Sequence, residues 1–371
     1  MKSSLDPRFK LNAACPYFTM FPLEFPLQVL SGYKKPQVVL DVFCGRGTTN
    51  FASRFLGHHS YGIDASPVAV AIAKAKLSTA STDDVLELAR HYLSEVKPKK
   101  VPTGDFWINA YHPATLRQIC QIREGLMAAR ASNASIMLRA LMLGCLHGPL
   151  SVHEENAGYF SNQMPRTYAS KPDYAVKFWR AHKLKPRKVD VLLPLAKKAR
   201  SALAHELPFP KHGTSAIATG DSQKPSSFKH IDKRVGLVIT SPPYLGLRTY
   251  IEDQWIRNWF LGGPSIVPYG NPNQLSHGSP EGFATSLSSV WDNVAGISRD
   301  DLKMVIRFGS IGSERVNPET VLRRSFELSS YVWKIKSVTP VGTALRGKRQ
   351  AATMGTNNLA RREIDVTVGF G

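Results

Sequence analysis

A strongly apolar run that opens directly into a glycine-containing loop constrains the fold of this chain more than any other feature. Residues 37–43 read QVVLDVF, the pattern of a parallel strand buried on both faces. Gly45 and Gly47 interrupt the run, and the residues that follow, TTNFASRFLG, have helical spacing. A second short strand, SYGID, ends on Asp64 and leads into another helical segment, SPVAVAIAKAKLS. This alternation predicts the beginning of a doubly wound α/β sheet.

The same alternation returns late in the chain. The segments SAIATGD, RVGLVITSPPY, LKMVIRFGS and EIDVTVGF each predict a strand. Helical patterns such as DDVLELARHYLSEV and ASIMLRALMLGCLHG dominate the interval before them. We therefore predict an α/β domain formed by residues 1–80 and 213–371, with a mainly helical, basic region inserted at residues 81–212.

The charge balance points to a polyanionic partner. The 371 residues include 48 Lys and Arg against 28 Asp and Glu, a net charge of +20, which favours nucleic acid first and an anionic membrane surface second. With 43% hydrophobic and 20% charged residues, the chain can form a core, which excludes a disordered, collagen-like or coiled-coil protein. We find no apolar run of membrane-spanning length, no secretory signal and no paired cysteine spacing, so we expect a cytoplasmic protein.

The glycine loop predicts a nucleotide-type cofactor. Glycines at a strand-to-helix turn let backbone amides approach a ligand closely. Asp64 follows Gly45 by 19 positions at the end of the next strand, where a carboxylate can accept hydrogen bonds from ribose hydroxyls. Asn50 replaces the third glycine of the dinucleotide fingerprint, which disfavours NAD, and the absence of G-K-[ST] excludes a P-loop.

A second motif, Ser241-Pro242-Pro243-Tyr244, follows the apolar run VGLVI. Two consecutive prolines form a stiff turn with exposed carbonyls. The Ser241 hydroxyl and the Pro242 carbonyl can each accept a hydrogen bond from an exocyclic amine, and Tyr244 offers a flat face for a flipped-out base. The plainer interpretation is a proline turn with a core tyrosine.

Together these motifs resemble those of S-adenosylmethionine-dependent DNA amino-methyltransferases. FCGRGTT resembles their F-x-G-x-G signature, and SPPY resembles their [DNS]-P-P-[YFW] tetrapeptide, in which serine is typical of cytosine-N4 enzymes. YFTMFPLEFP resembles the N-terminal motif that closes over the methionine part of the cofactor, and ATGDS resembles the acid that approaches its adenine. The resemblance covers residues 15–80 and 215–371.

The resemblance implies a Rossmann-like methyltransferase sheet, S-adenosyl-L-methionine as the cofactor and double-stranded DNA as the substrate. It implies a site-specific cytosine-N4 methyltransferase of the prokaryotic restriction–modification kind, with adenine-N6 or RNA-directed amino-methylation as alternatives. The implied catalytic residues are Ser241, Pro242, Pro243 and Tyr244. The implied cofactor-binding residues are Thr19, Phe21, Asp41, Phe43, Gly45, Gly47, Thr48, Thr49, Asp64 and Asp221.

The segment Arg166–Arg200 is a candidate DNA-contacting surface. It carries 11 Lys or Arg against two acids and contains interleaved aromatic residues, although a solvated helical face would have the same composition. A second candidate is the loop 245–282, which contains Arg248, Tyr250, Trp255 and Arg257.

Other functions and partners find less support in the sequence. His112, His147 and His153 lack a matching set of ligands, so we predict no metal site. A non-catalytic cofactor-binding or DNA-binding module is the alternative from another functional class, and the intact pair of motifs argues against it. A homodimer and a cognate restriction endonuclease remain open.

Overall fold

The structure is a computed structural model that describes residues 7–15, 17, 21–148, 158–162, 172–205, 215–245, 254–267, 275–276, 278–311, 316–341 and 360–371. Its strands are β1 (Val38–Asp41), β2 (His59–Asp64), β3 (Ser215–Thr219), β4 (Val235–Thr240), β5 (Ser298–Ile311), β6 (Trp333–Pro340) and β7 (Ala360–Phe370). They form a seven-stranded sheet in the order β3-β2-β1-β4-β5-β7-β6.

The direction of the strands makes this a doubly wound sheet. The pairs β1–β2, β2–β3, β1–β4 and β4–β5 are parallel, whereas β7 lies antiparallel between β5 and β6. From β1 the chain builds outward to β2 and β3 on one side and then to β4 and β5 on the other. The reversal lies between β1 and β4, and in such sheets ligands bind outside the carboxyl ends of the strands at that point. The predicted α/β, doubly wound, Rossmann-like sheet is confirmed.

The four segments named above for their helical patterns all form helices, and the described residues contain further helices. Their bounds are α1 (Glu24–Ser31), α2 (Thr48–Leu56), α3 (Pro67–Ala75), α4 (Thr82–Glu95), α5 (Asp105–Ala110), α6 (Pro113–Ala128), α7 (Asn133–Cys145), α8 (Pro172–Ala181), α9 (Leu192–Ala202), α10 (Trp255–Phe260), α11 (Pro280–Ile297) and α12 (Pro318–Glu327). Ser66 caps α3 by accepting from the Ala69 amide, and Ser81 and Asp84 form a reciprocal capping box at α4. None of the described helices combines the length and apolar character needed to cross a bilayer.

Two apolar cores lie on the two faces of the sheet. One joins the sheet residues Val39, Leu237 and Ile239 to α1–α3 and to the helices of the central region. The other joins Leu40 and Val238 to α11, α12 and β7. The helices α4–α9 therefore share a core with the sheet, while the exact division at residues 81 and 212 stays a prediction.

The strand β6 was not predicted. Its sequence, WKIKSVTP, lies at the edge of the sheet, where no residue of the strand is fully buried. The hydrophobic alternation that identifies a half-buried strand is weak in such a position. The segment forms a strand because it pairs with β7, which the local sequence pattern does not indicate.

Candidate active site

The glycine loop begins where β1 ends, and its two glycines have different roles. Gly47 adopts a left-handed φ of 73° at the N-terminus of α2, and a Cβ there would lie 2.7 Å from the Cβ of Ala73 in α3. Gly45 also has a positive φ, 50°, but a Cβ there would have no described atom within 4 Å. Gly47 thus permits close packing of α2 on α3, whereas Gly45 borders open space at the carboxyl edge of the sheet.

Asp64 is held against this loop by backbone amides. Its Oδ2 accepts from the Gly45 amide at 2.8 Å, and its Oδ1 accepts from the Ser66 amide at 2.8 Å. The carboxyl is partly buried, and burial raises its pKa above the ordinary value for aspartate. Each oxygen keeps a further lone pair, so the carboxylate can still accept hydrogen bonds from a ligand that occupies the space beside Gly45.

The N-terminal segment reaches the same edge of the sheet. The Tyr17 hydroxyl donates to Ser66 Oγ at 2.9 Å, two residues after Asp64. Arg46, inside the glycine loop, donates to the carbonyl of Cys15 at 3.3 Å. These bonds join the segment to both the first and the second strand-to-helix turn. Tyr17 was not singled out from the sequence, although it belongs to the YFTMFP segment that was.

Two predicted residues of that segment have different outcomes. Phe21 is partly buried and packs edge-on against Phe25 of α1, with 5.2 Å between ring centroids. Thr19 lies outside the described residues. Their roles in cofactor binding stay predictions.

Asp221 lies at the end of β3, beside Asp64. The Gly220 amide donates to the Asp64 carbonyl at 3.0 Å, and Asp221 Oδ1 accepts from the Gln223 amide at 3.0 Å. The neighbouring Ser222 hydroxyl donates to the carbonyl of Val42 at 2.5 Å. The ends of β1, β2 and β3 are thereby held together around the glycine loop.

The remaining predicted cofactor residues lie around Asp41, the last residue of β1. Asp41 is fully buried, and its Oδ1 accepts from the Phe43 amide at 3.2 Å and from Thr240 Oγ1 at 2.7 Å. Burial raises the pKa of Asp41 to about 6, although the bond from Thr240 opposes the shift. Phe43 is partly buried, while Thr48 and Thr49 are buried at the start of α2.

The tetrapeptide follows Thr240 at the carboxyl end of β4. Thr240 pairs with Ile306 of β5, and its hydroxyl reaches Asp41 of β1. Ser241 is partly exposed and Pro242 is buried. Because β1 and β4 are neighbouring parallel strands, the glycine loop and the tetrapeptide emerge side by side at one edge of the sheet. This is the juxtaposition that the two sequence motifs require if they act together.

Tyr244 is held by two strands on the far side of the tetrapeptide. Its hydroxyl donates to Glu363 Oε1 on β7, and its ring lies edge-on to Phe308 of β5, with centroids 5.9 Å apart at 84°. Burial, and then the Glu363 carboxylate, raise the pKa of Tyr244 well above its ordinary value, so the phenol stays a neutral donor. Glu363 was not singled out from the sequence, where it appeared only as part of a predicted strand.

Several basic side chains of the segment Arg166–Arg200 are exposed. Lys183, Lys185 and Arg187 project from the connection between α8 and α9, whereas Trp179 is buried in the core. Of the second candidate surface, Trp255 and Arg257 are only 1% and 2% exposed. For these two residues the prediction of DNA contact was wrong, because α10 directs them into the core.

The two described histidines, His112 and His147, have different surroundings. His112 caps α6 by accepting from the Ala114 amide at 3.2 Å, and His147 is buried with a pKa lowered by burial and by Arg257. His153 lies outside the described residues. Within the described part of the chain, no three His, Cys, Asp or Glu side chains come close enough to hold a metal ion.

A family model described as DNA methylase matches residues 5–75 of the chain, an interval that contains the YFTMFP segment, the glycine loop and Asp64. No curated protein matches the chain. Among solved structures, the chain is similar to the rRNA methyltransferase aviRa from Streptomyces viridochromogenes, with 13% identity, 99% of this chain and 92% of that chain covered, and a TM-score of 0.35.

It is also similar to protein 1320 of Thermoplasma acidophilum, with 9% identity, 100% of this chain and 98% of that chain covered, and a TM-score of 0.36. Likenesses of this size carry no information about substrate. The family match, together with the sheet order found here, supports an enzyme of the amino-methyltransferase class.

Proposed function

We propose that this protein is a DNA methyltransferase that transfers a methyl group from S-adenosyl-L-methionine to the exocyclic N4 amine of a flipped-out cytosine. The observation that carries the proposal is the hydrogen bond between Thr240 and Asp41. It joins the residue before the tetrapeptide to the residue where the glycine loop begins. A methyl donor held by the loop and an amine held by Ser241 would therefore be neighbours, as direct transfer requires.

The residues at the glycine loop fit this cofactor. The open space beside Gly45 leaves room for a ligand against the backbone, and Asp64 offers acceptor oxygens for ribose hydroxyls. Phe43 and Asp221, from the ends of β1 and β3, border the same edge. When bound, the cofactor supplies a methyl group already activated by its sulfonium, so the protein's task is to position the amine and exclude water.

The tetrapeptide would activate the amine by hydrogen bonding. An aromatic amine is a poor nucleophile because its lone pair is delocalised into the ring. Hydrogen bonds from its two N–H groups to the Ser241 hydroxyl and the Pro242 carbonyl would favour a tetrahedral nitrogen with an available lone pair. One of the two protons would leave the nitrogen, to solvent or a neighbouring carbonyl, during or after the transfer. Stacking on Tyr244 would offset part of the cost of removing the base from the helix, which is a few kcal/mol.

Double-stranded DNA is the proposed substrate because of the charge and the exposed lysines. Phosphate contacts supply most of the affinity of such proteins, and the net charge of +20 favours them. We place the contacts on the connection between α8 and α9. A cytoplasmic enzyme that acts alone or as a homodimer, beside a cognate restriction endonuclease, would fit this chemistry.

Two alternatives use the same site. Adenine-N6 methylation needs only a larger base in the same position, and an RNA amino-methyltransferase would share the net charge and both motifs. Serine at the first position of the tetrapeptide is the feature that favours cytosine.

Methylation of unmethylated plasmid DNA with labelled cofactor, followed by mass spectrometry of the nucleosides, tests the proposal. We expect N4-methylcytosine. Detection of N6-methyladenine instead would show that the enzyme methylates adenine rather than cytosine by the same type of reaction. A parallel reaction with RNA separates the two nucleic acids. No transfer to DNA by an enzyme that binds S-adenosylmethionine would refute the proposal.

A further inference from the structure

The side chain of Tyr244 has a partner that the tetrapeptide does not provide. Its hydroxyl donates to Oε1 of Glu363, which lies 119 residues later on β7. A tyrosine that only filled the core would bury its ring and direct the hydroxyl to the nearest polar group or to water. Here the ring is partly exposed, and the hydroxyl bonds to a carboxylate on a different strand.

Glu363 is itself placed by the sheet. It pairs with Gly309 of β5, so it lies next to Phe308, the residue whose ring contacts Tyr244. Along β7, polar and apolar residues alternate: Glu363 and Asp365 are on one face, and the buried Ile364 and Val366 are on the other. Glu363 is therefore on the strand face opposite Ile364, and its carboxylate accepts from a tyrosine whose ring packs against the core that holds Ile364 and Phe308.

The neighbouring acid on the same face of β7, Asp365, is paired with a cation. Asp365 accepts two hydrogen bonds from Arg307, each at 2.7 Å, and the guanidinium lies 4.0 Å from the ring centroid of Phe25. Arg307 of β5 is paired with Asp365, and Glu363 accepts instead from the Tyr244 hydroxyl. A bond to a charged acceptor is stronger than one between neutral groups, so it restrains the ring effectively.

We propose that Glu363 is a positioning residue for the target base, acting through Tyr244. The carboxylate fixes the phenol, and Phe308 packs nearly perpendicular to its ring, so the ring is already oriented when a base leaves the helix. This inference rests on the proposed function. Orientation before binding reduces the ordering cost that a free tyrosine would incur when the base stacks on it.

A double-mutant cycle tests the inference. The variants are Glu363→Ala, which removes the acceptor, Tyr244→Phe, which keeps the ring but removes the donor, and the two combined. We expect each single change to lower the single-turnover methylation rate by roughly 5- to 20-fold, with no further loss in the double variant. Affinities for DNA and for S-adenosylmethionine should stay near the wild-type values, because phosphate contacts supply most of the DNA affinity and the Tyr244 ring is kept in every variant.

Glu363→Gln is the conservative variant, because its amide oxygen can still accept from the phenol. It should recover most of the wild-type rate. Glu327→Ala is a matched control, since Glu327 is an exposed acid paired with Arg324 at 3.3 Å on α12, and its rate should be unchanged.

Three results would overturn the inference. The first is a double variant whose loss of methylation rate equals the two single losses combined. The second is a Glu363→Gln variant as slow as Glu363→Ala, and the third is a fall in cofactor affinity that matches the fall in rate. Failure of the proposed function looks different, because the wild-type enzyme would then transfer no methyl group to DNA at all.

Discussion

The hydroxyl of Thr240 donates to the carboxylate of Asp41 at 2.7 Å, and this bond joins the last residues of two neighbouring parallel strands. Asp41 is fully buried, so the bond forms in a medium that disfavours its negative charge. The carboxylate that aligns the two motifs therefore has a raised pKa, and its ionisation should affect stability.

Asp41→Asn should change how stability depends on pH. The pKa of Asp41 is raised from 3.8 to about 6, so the folded wild-type protein holds this proton more tightly than the unfolded chain. As pH rises through that interval, the group lowers the free energy of unfolding, by up to about 3 kcal/mol. Asparagine keeps an acceptor oxygen for Thr240 and does not ionise. The variant should thus gain stability relative to wild type between pH 4 and 7, roughly, with no further gain above it.

Urea denaturation at several pH values measures this difference. A pH-independent loss of stability caused by the asparagine would shift the whole curve of unfolding free energy against pH, but it would not change the slope of that curve. Asp105→Asn, at an exposed position, serves as the control. Parallel curves for wild type and Asp41→Asn would contradict the raised pKa.

Asp64→Ala should weaken cofactor binding more than folding. A carboxylate that holds ribose hydroxyls supplies charge-assisted bonds of about 1.5–3 kcal/mol each at most. Because Asp64 also accepts from the Gly45 and Ser66 amides, Asp64→Asn is the better matched variant, keeping one acceptor in place. Calorimetric titration with S-adenosylmethionine gives the affinities, and an unchanged value would remove Asp64 from the cofactor site.

The two loop glycines should respond differently to alanine. Gly47→Ala places its Cβ 2.7 Å from the Cβ of Ala73 and should destabilise the fold, by about 1–3 kcal/mol. Gly45→Ala meets no described atom within 4 Å and should cost only about 1 kcal/mol for its positive φ. Its methyl group would enter the proposed ligand space, so cofactor affinity should fall instead. Thermal denaturation and cofactor titration of both variants separate the two effects, and equal affinities would argue against a cofactor beside Gly45.

Ser241→Ala should slow methyl transfer while both ligands still bind. Loss of one positioned hydrogen-bonding group lowers the rate on the order of 10²–10³-fold. In the proposed site the cofactor contacts residues at the ends of β1 and β2, and DNA would bind mainly through its phosphates. Single-turnover methylation, with cofactor and DNA titrations, measures all three quantities. A wild-type rate would make the serine structural.

Reversal of Lys183, Lys185 and Arg187 to Glu should weaken binding to every DNA sequence alike. The slope of log affinity against log salt should become shallower, by about 0.9 for each phosphate that the protein no longer neutralises. The exposed Lys97, Lys99 and Lys100, changed to Glu together, provide the same change in net charge elsewhere. Identical salt slopes for the two triple variants would place the DNA on another surface.

The sequence predicted the centre of the fold because the decisive signals there are local. The run at 37–43, the glycines after it and the acid at the end of β2 each lie within a few residues of what they determine. The position of the tetrapeptide at the end of a buried strand was predicted for the same reason, because two prolines directly after an apolar run are a strong local signal. The roles of the individual site residues remain predictions.

The parts that escaped prediction depend on partners distant in the chain. Glu363 resembles any polar residue on a half-exposed strand until β7 is inserted beside β5. Trp255 and Arg257 look like nucleic-acid contacts in composition, but the packing of α10 buries both. No window of local sequence contains the residues that decide these outcomes.

The bond between Thr240 and Asp41 spans 199 positions, and most of the intervening chain belongs to the helical region 81–212. The entropy cost of closing such a loop grows only with the logarithm of its length, by about 0.6 kcal/mol for each doubling. An insertion into the exposed connection between α8 and α9 would therefore change the stability of this junction very little, although distant pairing slows folding. Loss of a helix would differ, because it would remove part of the core that α4–α9 share with the sheet. The connection that carries the exposed lysines can thus change in length while the junction stays the same.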